Sequence, residues 1–116
     1  MLAKRRSKMD VDILGAKYTI VKDCTKDKEP LLAKFDGFMD DTVNKIVIAK
    51  MEHSDESLKD LNFYEKQVLR HEVIHAFLSE SGLKSNSDWA RNEEMVDYFA
   101  IQFPKMLKVF MKLDAL

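Results

Sequence analysis

The stretch from Leu69 to Gly82 reads LRHEVIHAFLSESG, and its reading decides the fold. Two of the chain's three histidines, His71 and His75, stand four residues apart, and Glu72 directly follows the first. On a helix, residues i and i+4 share a face one turn apart, so both imidazoles can reach a single ion. Val68, Leu69, His71, Glu72, His75, Leu78 and Ser79 recur at three- and four-residue steps, and Gly82 is a natural C-terminal stop. Upstream, Asn62-Phe63-Tyr64-Glu65 has the form of an N-cap with an acidic residue three positions on. The spacing predicts a helix from Phe63 to Ser81. The plain alternative is a half-exposed helix on which the histidines are surface residues.

Outward from this helix the pattern changes on both sides. The N-terminal half is rich in β-formers. Tyr18–Val21 and Phe35–Met39 read as strands, Asp40-Asp41 as a turn, and the charged run Asp23–Pro30 as a loop. Lys45–Ala49 is the clearest strand, β-branched and apolar, either buried on both faces or at an edge with one face on the core. On the C-terminal side, Ser85-Asn86-Ser87-Asp88 is a polar capping cluster before a second helix, Trp89–Phe103. Pro104 is expected to kink that helix or to open a last one over Lys105–Leu113. Trp89, Phe99, Phe103, Met106, Leu107 and Phe110 are expected in the core. Strands first and helices after argue an α+β fold: a small antiparallel or mixed sheet followed by two helices.

The bulk numbers fit one domain over 1–116. The chain has 116 residues, 46% of them apolar and 34% charged, with a net charge of −1. Charges of both signs are interspersed, so neither direct nucleic-acid binding nor attraction to an anionic membrane is expected. The basic run Lys4–Lys8 reads as part of a flexible tail over residues 1–10. Cys24 is the single cysteine, which fits a reducing compartment. No segment is apolar for long enough to form a signal-peptide core or a membrane span, so a cytoplasmic protein is expected.

The chemistry rests on His71-Glu72-Val73-Ile74-His75, an H-E-x-x-H motif. Zinc takes imidazole nitrogen, and a catalytic zinc site keeps one position open for water. Glu72 lies about 100° round the helix from His71, beside the ligands. There it can take a proton from water activated by the ion and pass it to a leaving amine. A third ligand must come from elsewhere. His53 lies upstream in a polar segment and reads as a loop residue, and no histidine follows His75. Glu93 and Glu94 on the second helix are both candidates, about 100° apart. Glu93 is preferred, because Asp97 shares its face and can fix the tautomer of a zinc histidine. Glu94 stays open. Tyr64 and Tyr98 can in principle donate to an oxyanion, although packing is the simpler use.

The motif, followed on the next helix by the cadence Glu93-x-x-Val96-Asp97-x-Phe99-Ala100, resembles the ImmA/IrrE-type metallopeptidases, in which the third ligand opens a stretch E-x-x-A-N-x-F-A. Here Val96 stands for the alanine and Asp97 for the asparagine. HEVIHAFLSESGL with WARNEEMVDYFAIQFPK is similar to small proteins encoded on prophages and mobile elements of Gram-positive bacteria. The likeness covers Leu69 to Lys105. It implies a gluzincin-type zinc peptidase with one Zn2+ per chain, held by His71, His75 and Glu93, and with Glu72 as the catalytic base. The substrate it implies is a peptide or protein, in known cases a repressor that controls a mobile element. It also implies an edge strand above the active-site helix that pairs with substrate, a place Lys45–Ala49 would fill. Val73-Ile74 stands where Leu-Gly is frequent, which departs from the repressor-cleaving branch and leaves the ligands intact. The alternative of a different class is a zinc-stabilised interaction module that binds a partner without cutting it.

Overall fold

A computed structural model describes residues 8–52 and 59–116. The fold is α+β. Strands β1 (Lys8–Ile13), β2 (Ala16–Cys24), β3 (Gly37–Asp40) and β4 (Lys45–Ala49) precede helices α1 (Leu61–Glu80) and α2 (Glu93–Lys112). The sheet is mixed, in the order β1-β2-β4-β3: β2 and β4 run parallel, and the other neighbours antiparallel. Among the described residues no helix is long and apolar enough to cross a membrane.

β4 is a central strand. Ile46, Val47 and Ile48 are fully buried because both faces of the sheet are covered. Ile46 and Ile48 join Ile13, Tyr18 and Ala76 under α1, whose Val68, Leu69 and Val73 pack on that face. Val47 joins Val21 and Cys24 on the other face, covered by Leu32 and Phe38. The edge-strand role therefore does not fall to Lys45–Ala49. It falls to β3, which among the described residues pairs with β4 alone. β3 in turn lies tight against α1: a Cβ built on Gly37 would meet Val68 Cγ1 at 2.9 Å and the Val47 carbonyl at 3.1 Å.

The sheet is also larger at its start than the sequence suggests. Lys8–Ile13 pairs along β2, so Lys8–Asp10 are strand and not tail. Only Ile13 of β1 is buried, and a strand exposed along most of its length carries little apolar signal.

Both helix starts differ from expectation for a local reason, while the stop at Gly82 is where the sequence puts it. α1 is capped by Asp60, whose Oδ1 accepts the Phe63 N–H at 3.0 Å, so Asn62 already lies inside the helix. At its far end Gly82 takes φ 84°, a left-handed value that stops the helix. α2 begins at Glu93 and not at Trp89: Asn92 accepts the Met95 N–H at 2.8 Å, and Trp89–Arg91 forms a separate 3-10 turn. α2 then runs unbroken through Pro104 to Lys112. Pro104 cannot return an N–H to the buried Ala100 carbonyl, and Arg70 of α1 replaces it, with Nε donating to Ala100 O at 2.6 Å. Trp89, Phe103 and Phe110 are 54%, 49% and 41% exposed, so these three are not core residues.

Candidate metal centre

α1 and α2 cross so that the first turn of α2 meets the middle of α1. Val96 and Ala100, both fully buried, line the contact side of α2, and their small size lets the helices approach. Glu93, one turn before Val96, is thereby aimed at the two histidines. Its Oε1 lies 2.8 Å from His75 Nε2, and its Oε2 lies 3.0 Å from His71 Nε2. The two Nε2 atoms are 3.2 Å apart. His71, His75 and Glu93 each offer one ligand atom, and these lie within 4.8 Å of one another. Glu94, one residue on, is exposed and not part of this cluster.

Behind His71 stands Asp97, with Oδ1 accepting from Nδ1 at 2.9 Å. A carboxylate there holds the proton on Nδ1 and leaves the Nε2 lone pair free on the cluster side. The side chains of His71 and His75 are mostly buried, whereas Glu93 is the open member. Burial lowers the pKa of His75, partly offset by the nearby Glu93 carboxylate, so its ring stays neutral to lower pH. Burial also pushes Glu72 up to about 7, with Glu93 adding in the same direction and His71 opposing.

The donor set fits a tetrahedral metal. Two donors each 2.0–2.1 Å from a common tetrahedral ion are about 3.3 Å apart. The two Nε2 atoms, 3.2 Å apart, already match that spacing, and each lies 2.8–3.0 Å from one oxygen of the Glu93 carboxylate. Two imidazoles and one carboxylate are a donor set that zinc accepts, and three protein ligands leave a fourth position.

The cluster borders a groove of about 470 Å3 between α1 and β3, lined by His71, Glu72 and His75, by Phe35, and by Gly37, Phe38 and Met39 of β3. The groove continues on the other side of His71 and Glu72, past Asp36, Tyr64 and Gln67. Antiparallel pairing alternates, and Asp36 bonds across to Ala49. Gly37 and Met39, out of phase with that bond, therefore turn their backbone groups to the free edge.

Lys84 and Arg91 also line the groove, held by Asp41 and Asp88 respectively. Nothing in their sequence context marks them, because their proximity arises only when the α1–α2 connection folds back. Tyr64 faces the groove with its hydroxyl hydrogen-bonded to Asp36. Tyr98 is exposed, stacks edge-on against Phe99, and is not among the groove residues. His53 lies outside the described residues. Comparison with protein-family models, with curated proteins and with solved structures finds no match to this chain.

Proposed function

We propose that this chain is a minimal zincin-like zinc peptidase. The observation that carries the reading is the convergence of His71, His75 and Glu93 at one point, with Glu72 beside them on the wall of a groove that runs under a free strand edge. Zinc bound there would lower the pKa of water and polarise a carbonyl. The protein's own parts divide the rest. Asp97 holds His71 in the tautomer that presents Nε2. Glu72 accepts the proton of the attacking water and delivers it to the leaving amine. Backbone groups of Gly37 and Met39 receive an extended peptide by strand addition. The groove extends to both sides of Glu72, which suits cleavage within a chain more than at its end. The resemblance to ImmA/IrrE-type enzymes makes a cytoplasmic regulatory protein of a phage or mobile element the candidate substrate.

The test pairs metal content with hydrolysis. Protein purified without an affinity metal should carry about one zinc per chain by elemental mass spectrometry, and His75→Ala should lose it. Glu72→Gln should keep the zinc and cleave nothing. Full peptidase activity in Glu72→Gln would end the mechanism.

A second reading, a zinc-stabilised module that binds a partner without cutting it, is favoured by the exposure of Glu93, which leaves the cluster shallow. Partner binding that survives Glu72→Gln, with no cleavage by the parent chain, would select it.

A further inference from the structure

The groove is charged unevenly along its length. Beyond His71 it is lined by Asp36 and Asp97 against Lys34. Beyond His75 it is lined by Lys84 and Arg91, and Glu93 at that end belongs to the metal cluster.

The two cations are built into the wall. Ala90, beside Arg91, is buried and anchors the α1–α2 connection. Arg91 Nη1 donates to the Lys84 carbonyl, which closes the two short turns on each other. Lys84 Nζ donates to Asp41 Oδ2 at 2.6 Å and so ties the connection to the end of β3. Asp41 and Asp88, the partners of the two cations, are not among the groove residues. The Asp88 side chain is fully exposed, and an exposed ion pair holds its members weakly. A guanidinium has five N–H donors and an ammonium three, so both cations keep donors for a further carboxylate.

Their place along the groove follows from α1. Ser79 Oγ donates to the same Asp41 Oδ2, at 2.7 Å, so the Lys84 ammonium lies beside Ser79. Ser79 is one helical turn past His75, about 6 Å along the axis. An extended peptide advances about 3.3 Å per residue, which sets Lys84 about two residues from a carbonyl held at the cluster. β3 and α1 run in the same sense: Asp36 bonds to Tyr64, Gly37 lies against Val68, and Asp41 bonds to Ser79. Antiparallel pairing is the more stable kind. A peptide added to β3 in that sense lays its N-terminal part against the basic wall.

We propose that Lys84 and Arg91 select substrates with an aspartate or glutamate about two residues before the cleaved bond. The inference rests on the peptidase reading and deepens it by naming the charge the substrate carries.

The test is cleavage-site profiling. The zinc-loaded full chain is given a peptide library prepared from a bacterial lysate, and the cut sites are read by mass spectrometry. Aspartate and glutamate should be enriched at the second or third residue before the cut. A synthetic peptide from such a site should be cut about fivefold to tenfold faster, by kcat/KM, than the same peptide with glutamine in place of the acid. In Arg91→Gln and in Lys84→Gln that ratio should fall towards one, a change that a purely structural role would not produce. Either variant decides the matter if the other does not fold. A chain that holds zinc and cuts nothing fails the peptidase reading, and the inference falls with it. Cutting without an acidic preference, with the acid after the bond, or with a ratio unmoved in both variants overturns the inference and leaves that reading standing.

Discussion

Replacing Arg70 by methionine should destabilise the protein through an atom on another helix. Pro104 sits in the middle of α2 and leaves the Ala100 carbonyl without its helical donor. Ala100 is fully buried, and Arg70 Nε donates to that oxygen at 2.6 Å. Methionine keeps an unbranched apolar stem, so the main change is one buried carbonyl left without a partner, a cost of about 1–3 kcal/mol. For a chain of this length, about 2 kcal/mol corresponds to a fall in Tm on the order of 6–8 °C. Pro104→Ala returns the missing N–H. In that background Arg70→Met should cost under about 1 kcal/mol, since the carbonyl no longer needs the guanidinium. The assay is urea denaturation of the four proteins of the cycle, followed by circular dichroism in metal-free buffer so that zinc linkage does not enter. A coupling of at least about 1 kcal/mol is expected between positions 70 and 104. Equal costs of Arg70→Met in both backgrounds would refute the reasoning and reduce the contact to a surface arginine resting on a helix.

Three further outcomes follow from the same geometry. Asp97→Ala should lower zinc affinity about 10–100-fold, read by competition with a chromophoric chelator, because His71 loses the acceptor that fixes its tautomer; unchanged affinity would remove Asp97 from the site. Gly37→Ala should cost about 1–3 kcal/mol in chemical denaturation, since the new methyl would meet Val68 and the Val47 carbonyl, and backbone cannot turn aside as a side chain can; a neutral effect would mean β3 is free to shift. Hydrogen bonds from Lys84 and Ser79 hold the Asp41 carboxyl below its ordinary value of 3.8. A depressed folded pKa gives stability that is complete above the unfolded value and is lost as pH falls through the folded one. Asp41→Asn should therefore flatten the acid limb of stability below about pH 4 and leave the slope near neutrality unchanged.

Features with a local cause are legible in the chain. The four-residue spacing of His71 and His75 places both rings on one face of any helix that holds them. The three-residue step from Glu93 to Val96 and the four-residue step to Asp97 make Glu93 the preferred carboxylate and leave Glu94 open. Alternation from strand-like to helix-like periods separates the sheet from the helices, because each element must present its apolar residues at its own repeat. The remaining features depend on which element covers which. Lys45–Ala49 has the same residues whether it lies at an edge or in the middle; it is central because β2 and β3 pair on either side of it. β3 becomes the edge beside the site because Gly37 allows it to approach α1. Pro104 breaks an isolated helix but not this one, since Arg70, thirty-four residues away in sequence, supplies the missing donor. Phe103 and Phe110 look like core in any one-dimensional reading and lie at the surface, because burial belongs to the neighbour that covers a residue and not to the residue.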